Sequence, residues 1–501
     1  MNKTNHKFKE FINDVGKLKQ YFLQTLNQNN LPIQIYTHID ADGLAAGAIL
    51  GKALFREKIP FQITILRQLE KEEIIKIAKN GFNNVMIFSD FGSGQYLELQ
   101  KEFLLRGHKR HFIILDHHLP QKISDKRDSQ ALEDIHIATN PWHVNPYFYG
   151  IDGSNEISGA GVCYYFAKTL NEKNIDLSKI AMIGAIGDIQ NQGPNKSFVG
   201  LNSHILEDAK NADLIKIVDD LNFSLLKPLN EAIAYSTDIK LPGLSNDANK
   251  TLKFLKTLGI LMENSDGSIR TLIDMNKDEK QKISSAIIEY ATIKLNIEPN
   301  EIIEKLIVNK YILIHEDPSE LHDAEDFSNL LNACGRTTNG SLGIAIAMGD
   351  RKKAFEQAKE SLISYKKSLL TALSWIHENE KIQQKENIQY FFGEDVIPEN
   401  IIGTISSMLI FDEGNKLDKQ KPLFGCALRL EEDVYKISGR AHEKIVSRGV
   451  NLSEAIREAL ILSELENLGG GHPPAAGTKV PSDKIHIFLE NLDKVIKKQL
   501  K

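Results

Sequence analysis

From residue 32 to about 138 the chain repeats one pattern, a short β-rich run followed by an amphipathic stretch with apolar residues at helical spacing. Each strand of a parallel sheet must be returned to the same end by a crossover, and the crossover helix buries one face on the sheet, so this alternation points to α/β architecture. The β-rich runs cover 33–36, 63–66, 85–88, 112–115 and 135–138. Between them GLAAGAILGKALF, EKEEIIKIAKNG and YLELQKEFLLRG read as helices, two of them closing on Gly. A doubly wound sheet is the natural solution.

At roughly 150 residues per domain, 501 residues suggest about three domains. The α/β pattern assigns 1–206 to the first. From 207 to 305 the chain turns helical and more charged without convincing strand alternation, which predicts a helical insert. A second, smaller α/β domain is expected over 306–501, with strands near 311, 343–347, 425–430 and 434–437 and a long polar hairpin arm at about 351–385. Hydrophobic residues at 42% and charged residues at 26% exclude a disordered or collagen-like chain. A net charge of -6 argues against a surface coated with positive charge, so a nucleic-acid partner must be held in a local groove. No apolar stretch approaches 18 residues, and the first twenty residues lack the apolar core of a signal peptide, so the expectation is a cytoplasmic protein without a membrane partner. Cys163, Cys334 and Cys426 are isolated from one another among apolar or small neighbours, which fits reduced packing residues.

Metal-ligand residues cluster directly after the expected strands: His38, Asp40 and Asp42 after IQIYT, Asp90 after VMIFS, and Asp116, His117 and His118 after FIIL. One such cluster is ordinarily a turn or a helix cap. Three at equivalent positions, at the strand ends where open α/β sheets bind ligands, point to a site. Asp188, ending the small-residue run AMIGAIGD, would join them if that run packs on the sheet. Four carboxylates in one cleft raise one another's pKa unless cations intervene, and two divalent ions cancel their charge. Mixed imidazole and carboxylate ligation suits Mn²⁺, with Mg²⁺ as the alternative, and a pair of such ions suits in-line attack of water on a phosphodiester.

HIDADG, SDFGSGQ, LDHH and GAIGD, in this order and after these strands, resemble the four motifs of the DHH phosphoesterase superfamily, and GGGHPPAAG at 469–477 resembles the signature of the DHH-associated C-terminal domain. The superfamily includes RecJ exonucleases, oligonucleotide hydrolases and cyclic-dinucleotide phosphodiesterases. The resemblance implies that His38, Asp40 and Asp90 hold one metal, that Asp42, Asp90, His117 and Asp188 hold the other, and that His118 touches phosphate. Asp116 would support the ligands from behind. Arg440 and His472 match positions that grip the substrate backbone, Gly470 and Gly471 would expose N–H groups to phosphate, and Arg336 in NACGRTTNG is a second candidate phosphate contact. The H-x-D-x-D first motif, the chain end about 24 residues after GGGHPPAAG, which leaves no room for an OB-fold, and the segment holding SGAG look closer to the archaeal RecJ-like nucleases. For Gly159 and Gly161 in SGAG, close helix packing is the other reading.

The resemblance therefore implies a metal-dependent single-strand exonuclease acting on DNA or RNA, in replication or repair, with the active site in the cleft between the two α/β domains. An oligonucleotide or cyclic-dinucleotide phosphodiesterase is a second expectation. A non-catalytic replication-complex scaffold is a third, since the insert resembles that of the silent eukaryotic relative in the replicative helicase. Charged helices with apolar faces and no aromatic-basic pattern suit the insert to docking a protein such as GINS rather than a single strand.

Overall fold

The computed structural model describes residues 2–26, 32–80, 85–104, 112–121, 142–236, 239–245, 247–411, 417–466 and 469–500. They divide into two compact units, Met1–Lys359 and Glu360–Lys501. Residues 306–359, grouped by the sequence pattern with the C-terminal domain, thus belong to the first unit.

The first unit is built on strands β1 (Ile33–His38), β2 (Phe61–Leu66), β3 (Met86–Ser89), β4 (Phe112–Leu115) and β5 (His143–Val144), in the order β2-β1-β3-β4-β5. All neighbours are parallel. The run expected at 135–138 lies outside the described residues. The order reverses between β1 and β3, which is where ligands bind such sheets. Register puts Thr37 opposite Ser89 and Ser89 opposite Leu115, so the residues following β1, β3 and β4 leave the sheet side by side. The helix after β1, Ala41–Arg56, is buried along most of its length between the sheet and the helices Gly159–Leu170 and Ser178–Gly187. The N-terminal helix Asn2–Leu26 completes the layer, setting Phe11 and Phe22 edge-on against Tyr165 and Phe166.

Three expectations are corrected. Residues 215–221 form a strand, β6 (Ile215–Leu221), paired antiparallel with β7 (Ile307–Leu313). The pair brackets the insert, whose helices close around their own core of Phe223, Leu255, Ile283, Ile287 and Leu306. IKIVDDL carries charges on both faces, so its alternation is weak. The run at 343–347 is not a strand but part of the helix Gly340–Met348, packed on Ala41–Arg56 with Gly340 and Gly343 against Leu44. A continuous apolar run fits a buried helix as well as a buried strand, and here helix packing wins. The polar arm is a single helix, Lys353–Glu378, rather than a hairpin.

Among the described residues the second unit has six strands: β8 (Gln383–Gln384), β9 (Gln389–Phe392), β10 (Leu423–Arg429), β11 (Val434–Arg440), β12 (Gly470–His472) and β13 (Ala475–Pro481). Their order is β12-β13-β11-β10-β9-β8, and only β9 and β10 run parallel. Phe424, Ile437 and Val480 form one core with the helices Leu452–Leu462 and Ile485–Gln499, while Ile401, Ile405 and Leu409 of the helix Glu399–Phe411 belong to another. The three cysteines are unpaired and buried. Among the described residues no helix is long and apolar enough to cross a membrane.

Candidate metal centre

Four acids of the first unit take distinct backbone settings. Asp40 caps the helix Ala41–Arg56 by accepting from the N–H of Gly43 at 3.0 Å. Asp42, in the first turn, is buried and accepts from the N–H groups of Gly159 at 2.7 Å and Ala160 at 3.1 Å, the opening of the next helix. Asp90 follows β3 with φ 63°, a left-handed conformation that Gly, Asn and Asp adopt more readily than other residues, and it too is buried. Asp188 ends the helix Ser178–Gly187.

These side chains converge. His38, Asp40 and Asp90 offer ligand atoms within 4.8 Å of one another, as do Asp42, His117 and Asp188, and also Asp90, His117 and His118. His117 Nε2 lies 3.2 Å from Asp90 Oδ1 and 3.7 Å from Asp42 Oδ2, and His38 Nδ1 lies 2.8 Å from Asp40 Oδ2 and 3.6 Å from Asp90 Oδ2. Both Asp90 oxygens, His117 Nε2 and His38 Nδ1 are buried without an aligned hydrogen bond. Buried polar atoms are nearly always satisfied, so four unsatisfied ones facing one another match a cation's ligands.

The glycines make this approach physically available. A Cβ on Gly159 would lie 2.5 Å from Asp90 Oδ1, and one on Gly184 would lie 2.5 Å from Asp42 Oδ1. Gly159 therefore serves the acids, whereas Gly161 meets Ile157 and Ile205 and serves packing.

Electrostatics report the same demand for positive charge. Burial, and then Asp90 beside it, push the Asp42 carboxyl well above its usual range, and burial with Asp90 raises Asp188 as well. Burial alone would lower His38, but Asp40 and Asp90 lift it to about 10. Burial likewise opposes the charged form of His117, and Asp188, Asp90 and Asp42 overcome it. Asp116 is different. Burial would raise its carboxyl, yet His118, with Nδ1 at 2.9 Å, and the N–H groups of Ser93, His117 and His118 hold it well below the usual range. It is a fixed anion behind the two histidines.

Arg336 ends the helix Ala324–Arg336, near enough to help lower Asp40. That helix reaches the first motif because Gly335 packs on the Ile39 carbonyl and Asn332 Oδ1 accepts from the N–H of Ala41 at 2.9 Å. In the second unit Arg440 on β11 and His472 on β12 both pair with Ala475 of β13, so they stand in one row on the same face of the sheet. Arg440 donates from Nε to Ser407 Oγ at 2.7 Å. Gly471 has φ 139°, and a Cβ there would meet the Ala475 carbonyl at 2.3 Å; Gly470 precedes it on the same strand.

Several residues of the centre carry no local signal. Ser93 Oγ lies 2.8 Å from His143 Nε2 and accepts from Asn145 Nδ2, which also donates to the His118 carbonyl. His143 stacks on Tyr96, and burial lowers it to about 4, so it is neutral. Gln190 and Gly153 lie against His117, and Asn202 donates to Gln190 Oε1. Asn145 and Gly153 stand in NP and DG pairs that read as turn signals, and Gln190 stands two residues after a motif acid. Only three-dimensional neighbours reveal their roles.

Residues 32–187 match the DHH family, N-terminal domain, 225–307 the DHH-CID domain and 387–498 the DHHA1 domain. An uncharacterized protein of Methanocaldococcus jannaschii is 33% identical over 495 residues, spanning 98% of this chain and 99% of that one. Among solved structures, CDC45 from Entamoeba histolytica is similar with a TM-score of 0.64 at 14% identity, over 96% of this chain and 99% of that one. RecJ from Thermus thermophilus, in complex with Mn²⁺, is similar with a TM-score of 0.55 at 16% identity, over 97% of this chain and 55% of that one. At these identities the structural likeness concerns the fold.

Proposed function

Because this chain belongs to the DHH superfamily and has a RecJ-like fold, we propose that it is a metal-dependent phosphodiesterase that degrades single-stranded nucleic acid from an end. The observation that carries this reading is Asp90, whose two buried oxygens lack hydrogen bonds and face His38 on one side and His117 on the other. One carboxylate so placed can serve two cations.

His38, Asp40 and Asp90 would hold one ion, and Asp42, Asp90, His117 and Asp188 the other. When bound, two divalent ions, Mn²⁺ or Mg²⁺, supply the Lewis-acid charge that in-line phosphoryl displacement requires. The chain's own groups do the rest. Asp116 orients His118 through Nδ1, and Nε2 is the nitrogen that would donate to a phosphate oxygen. Arg336, beside Asp40, adds a fixed positive charge for phosphate. Arg440 and His472, with the N–H groups of Gly470 and Gly471, would grip backbone phosphates of the strand. The buried acids exclude an anionic substrate until cations neutralise them, which makes hydrolysis strictly metal-dependent.

The test is one oligonucleotide labelled in turn at its 5′ and 3′ ends and digested with Mn²⁺, beside a cyclic dinucleotide. Stepwise shortening from one end supports the reading and gives the polarity. Cleavage of the cyclic dinucleotide with the strand left intact would assign the small-molecule activity instead. The likeness to CDC45 over nearly the whole chain motivates a second reading, a scaffold that docks replication proteins such as GINS through the insert at 225–307. Co-purification of GINS-type proteins with the chain tests it.

A further inference from the structure

Gln190 is fully buried two residues after Asp188, and its amide is surrounded in only one workable way. Nε2 lies 2.8 Å from the Gly153 carbonyl, 2.8 Å from Asp188 Oδ2 and 3.3 Å from the Ile157 carbonyl. All three are acceptors, so the NH₂ end must sit among them. Oε1 then turns to Asn202, whose Nδ2 donates to it at 2.7 Å. This orientation constrains His117. Its Nδ1 is 2.6 Å from the Gly153 carbonyl and 3.3 Å from Gln190 Nε2. The amide nitrogen cannot accept, so the Nδ1 proton goes to the carbonyl, whose two lone pairs receive His117 and Gln190 together. Nε2, the atom that faces Asp90 and Asp42, is the one left to bind a cation.

The backbone is shaped to deliver Gln190 there. After the helix Ser178–Gly187 the N–H of Gln190 returns to the Ala185 carbonyl and that of Ile189 to the Ile186 carbonyl, both at 2.9 Å. Ile189 takes the left-handed conformation, φ 56°, that such a turn usually gives to glycine, and it is 65% exposed, so packing does little to offset the strain. Gly153 must be glycine, because a Cβ would lie 2.0 Å from the His117 carbonyl.

We propose that Gln190, locked by Asn202, is a positioning residue that leaves His117 Nε2 bare toward Asp90 and Asp42 and fixes the Asp188 carboxylate, whose Oδ2 lies 3.7 Å from His117 Nδ1. The inference rests on the metal-dependent reading above, and it assigns Gln190 to one ion only, the one held by Asp42, Asp90, His117 and Asp188. The test is Mn²⁺ titration, followed by calorimetry and by electron paramagnetic resonance, on the full chain, with thermal melting alongside. Gln190→Met keeps the volume and removes the donor. Asn202→Asp leaves Gln190 in place but offers it an acceptor, which draws the NH₂ end away from Gly153 and Asp188. Both variants should retain one Mn²⁺ with affinity near wild type and bind the second about 10–100-fold more weakly, the usual cost of losing a group that orients a ligand. A residue that merely fills space would tolerate methionine. Two ions bound by Gln190→Met as in wild type, or both ions weakened equally, would overturn the assignment. Wild-type protein that binds no Mn²⁺ would instead defeat the metal-dependent reading itself, and this inference with it. Should Gln190→Met fail to fold, Asn202→Asp decides the question by the same readout.

Discussion

The cluster after β1, β3 and β4 and the row on β11 and β12 both gather polar side chains, but they handle burial differently. Asp42, Asp90, Asp116 and His117 have at most 1% of their surface exposed, and only His38, Asp40, His118 and Asp188 reach toward solvent. Neighbouring like charges there are crowded enough to displace several pKa values. Arg440 and His472 are half-buried, on the two strands that flank β13. The residue between them, Ala475 on β13, is small and keeps the sheet surface low there. The first arrangement suits chemistry that needs concentrated, dehydrated charge. The second suits reversible capture of a polyanion, which tolerates water and weakens with salt.

If the comparison is right, damage to the first region should stop hydrolysis and damage to the second should only loosen substrate. The largest effect is expected from Asp90→Ala, which removes the one carboxylate placed to serve both ions. It should abolish hydrolysis more completely than loss of Asp40 or Asp188 and impair Mn²⁺ binding at both sites by calorimetry. Retention of half the wild-type turnover would break the two-ion assignment. In the second region, Arg440→Ala and His472→Ala should leave Mn²⁺ binding unchanged and raise KM for long single strands about 10–100-fold, since a charge-assisted hydrogen bond contributes about 1.5–3 kcal/mol. KM should also rise with salt, and a salt-independent KM would indicate a small-molecule substrate.

A subtler difference concerns the wall behind the acids. Burial holds His143 at about 4, below the ordinary value of 6.5. The unfolded chain therefore binds the proton first, and stability is lost as pH falls from about 6.5 toward 4. Between pH 7 and pH 5 the loss from this residue should be about 2 kcal/mol. Urea titrations of wild type and His143→Gln at the two pH values measure it, since the variant should lack that part of the pH dependence. The smallest effect is expected in the insert, where Ile293 and Ile303 are exposed. Changing both to Ser should leave cleavage of short oligonucleotides within about twofold, as surface substitutions usually do, while reducing recovery of GINS-type proteins in a pull-down. Lost cleavage without unfolding would place the insert in the substrate path.

Much of the first region was legible in the order of residues alone. Strand and helix periods are local properties, and so is the tendency of acids and histidines after parallel strands to face one edge of the sheet. That is why the clusters at His38, Asp90 and Asp116 could be tied to one site from their positions. Arg336 was legible as a candidate phosphate contact, but not its place beside the first motif. Its approach to Asp40 depends on Gly335 packing against the Ile39 backbone, a contact between residues nearly 300 positions apart. Arg440 and His472 stood in motifs, but their common row appears only when both strands pair with Ala475.

The amino-acid sequence by itself determined the alternation of strand and helix, the places where the chain turns, and which turns carry carboxylates, because these follow from side-chain period and backbone preference over a few residues. Tertiary structure decided the rest. It made 340–348 a helix and 215–221 a strand, since long-range packing arbitrates where local period is ambiguous. It also set Gly159 beside Asp90, laid the Asp42 carboxylate across the start of the helix Gly159–Leu170, and turned Gln190 toward His117. Each of these is an approach of a few ångströms between distant segments, and such distances are settled only when the whole core closes.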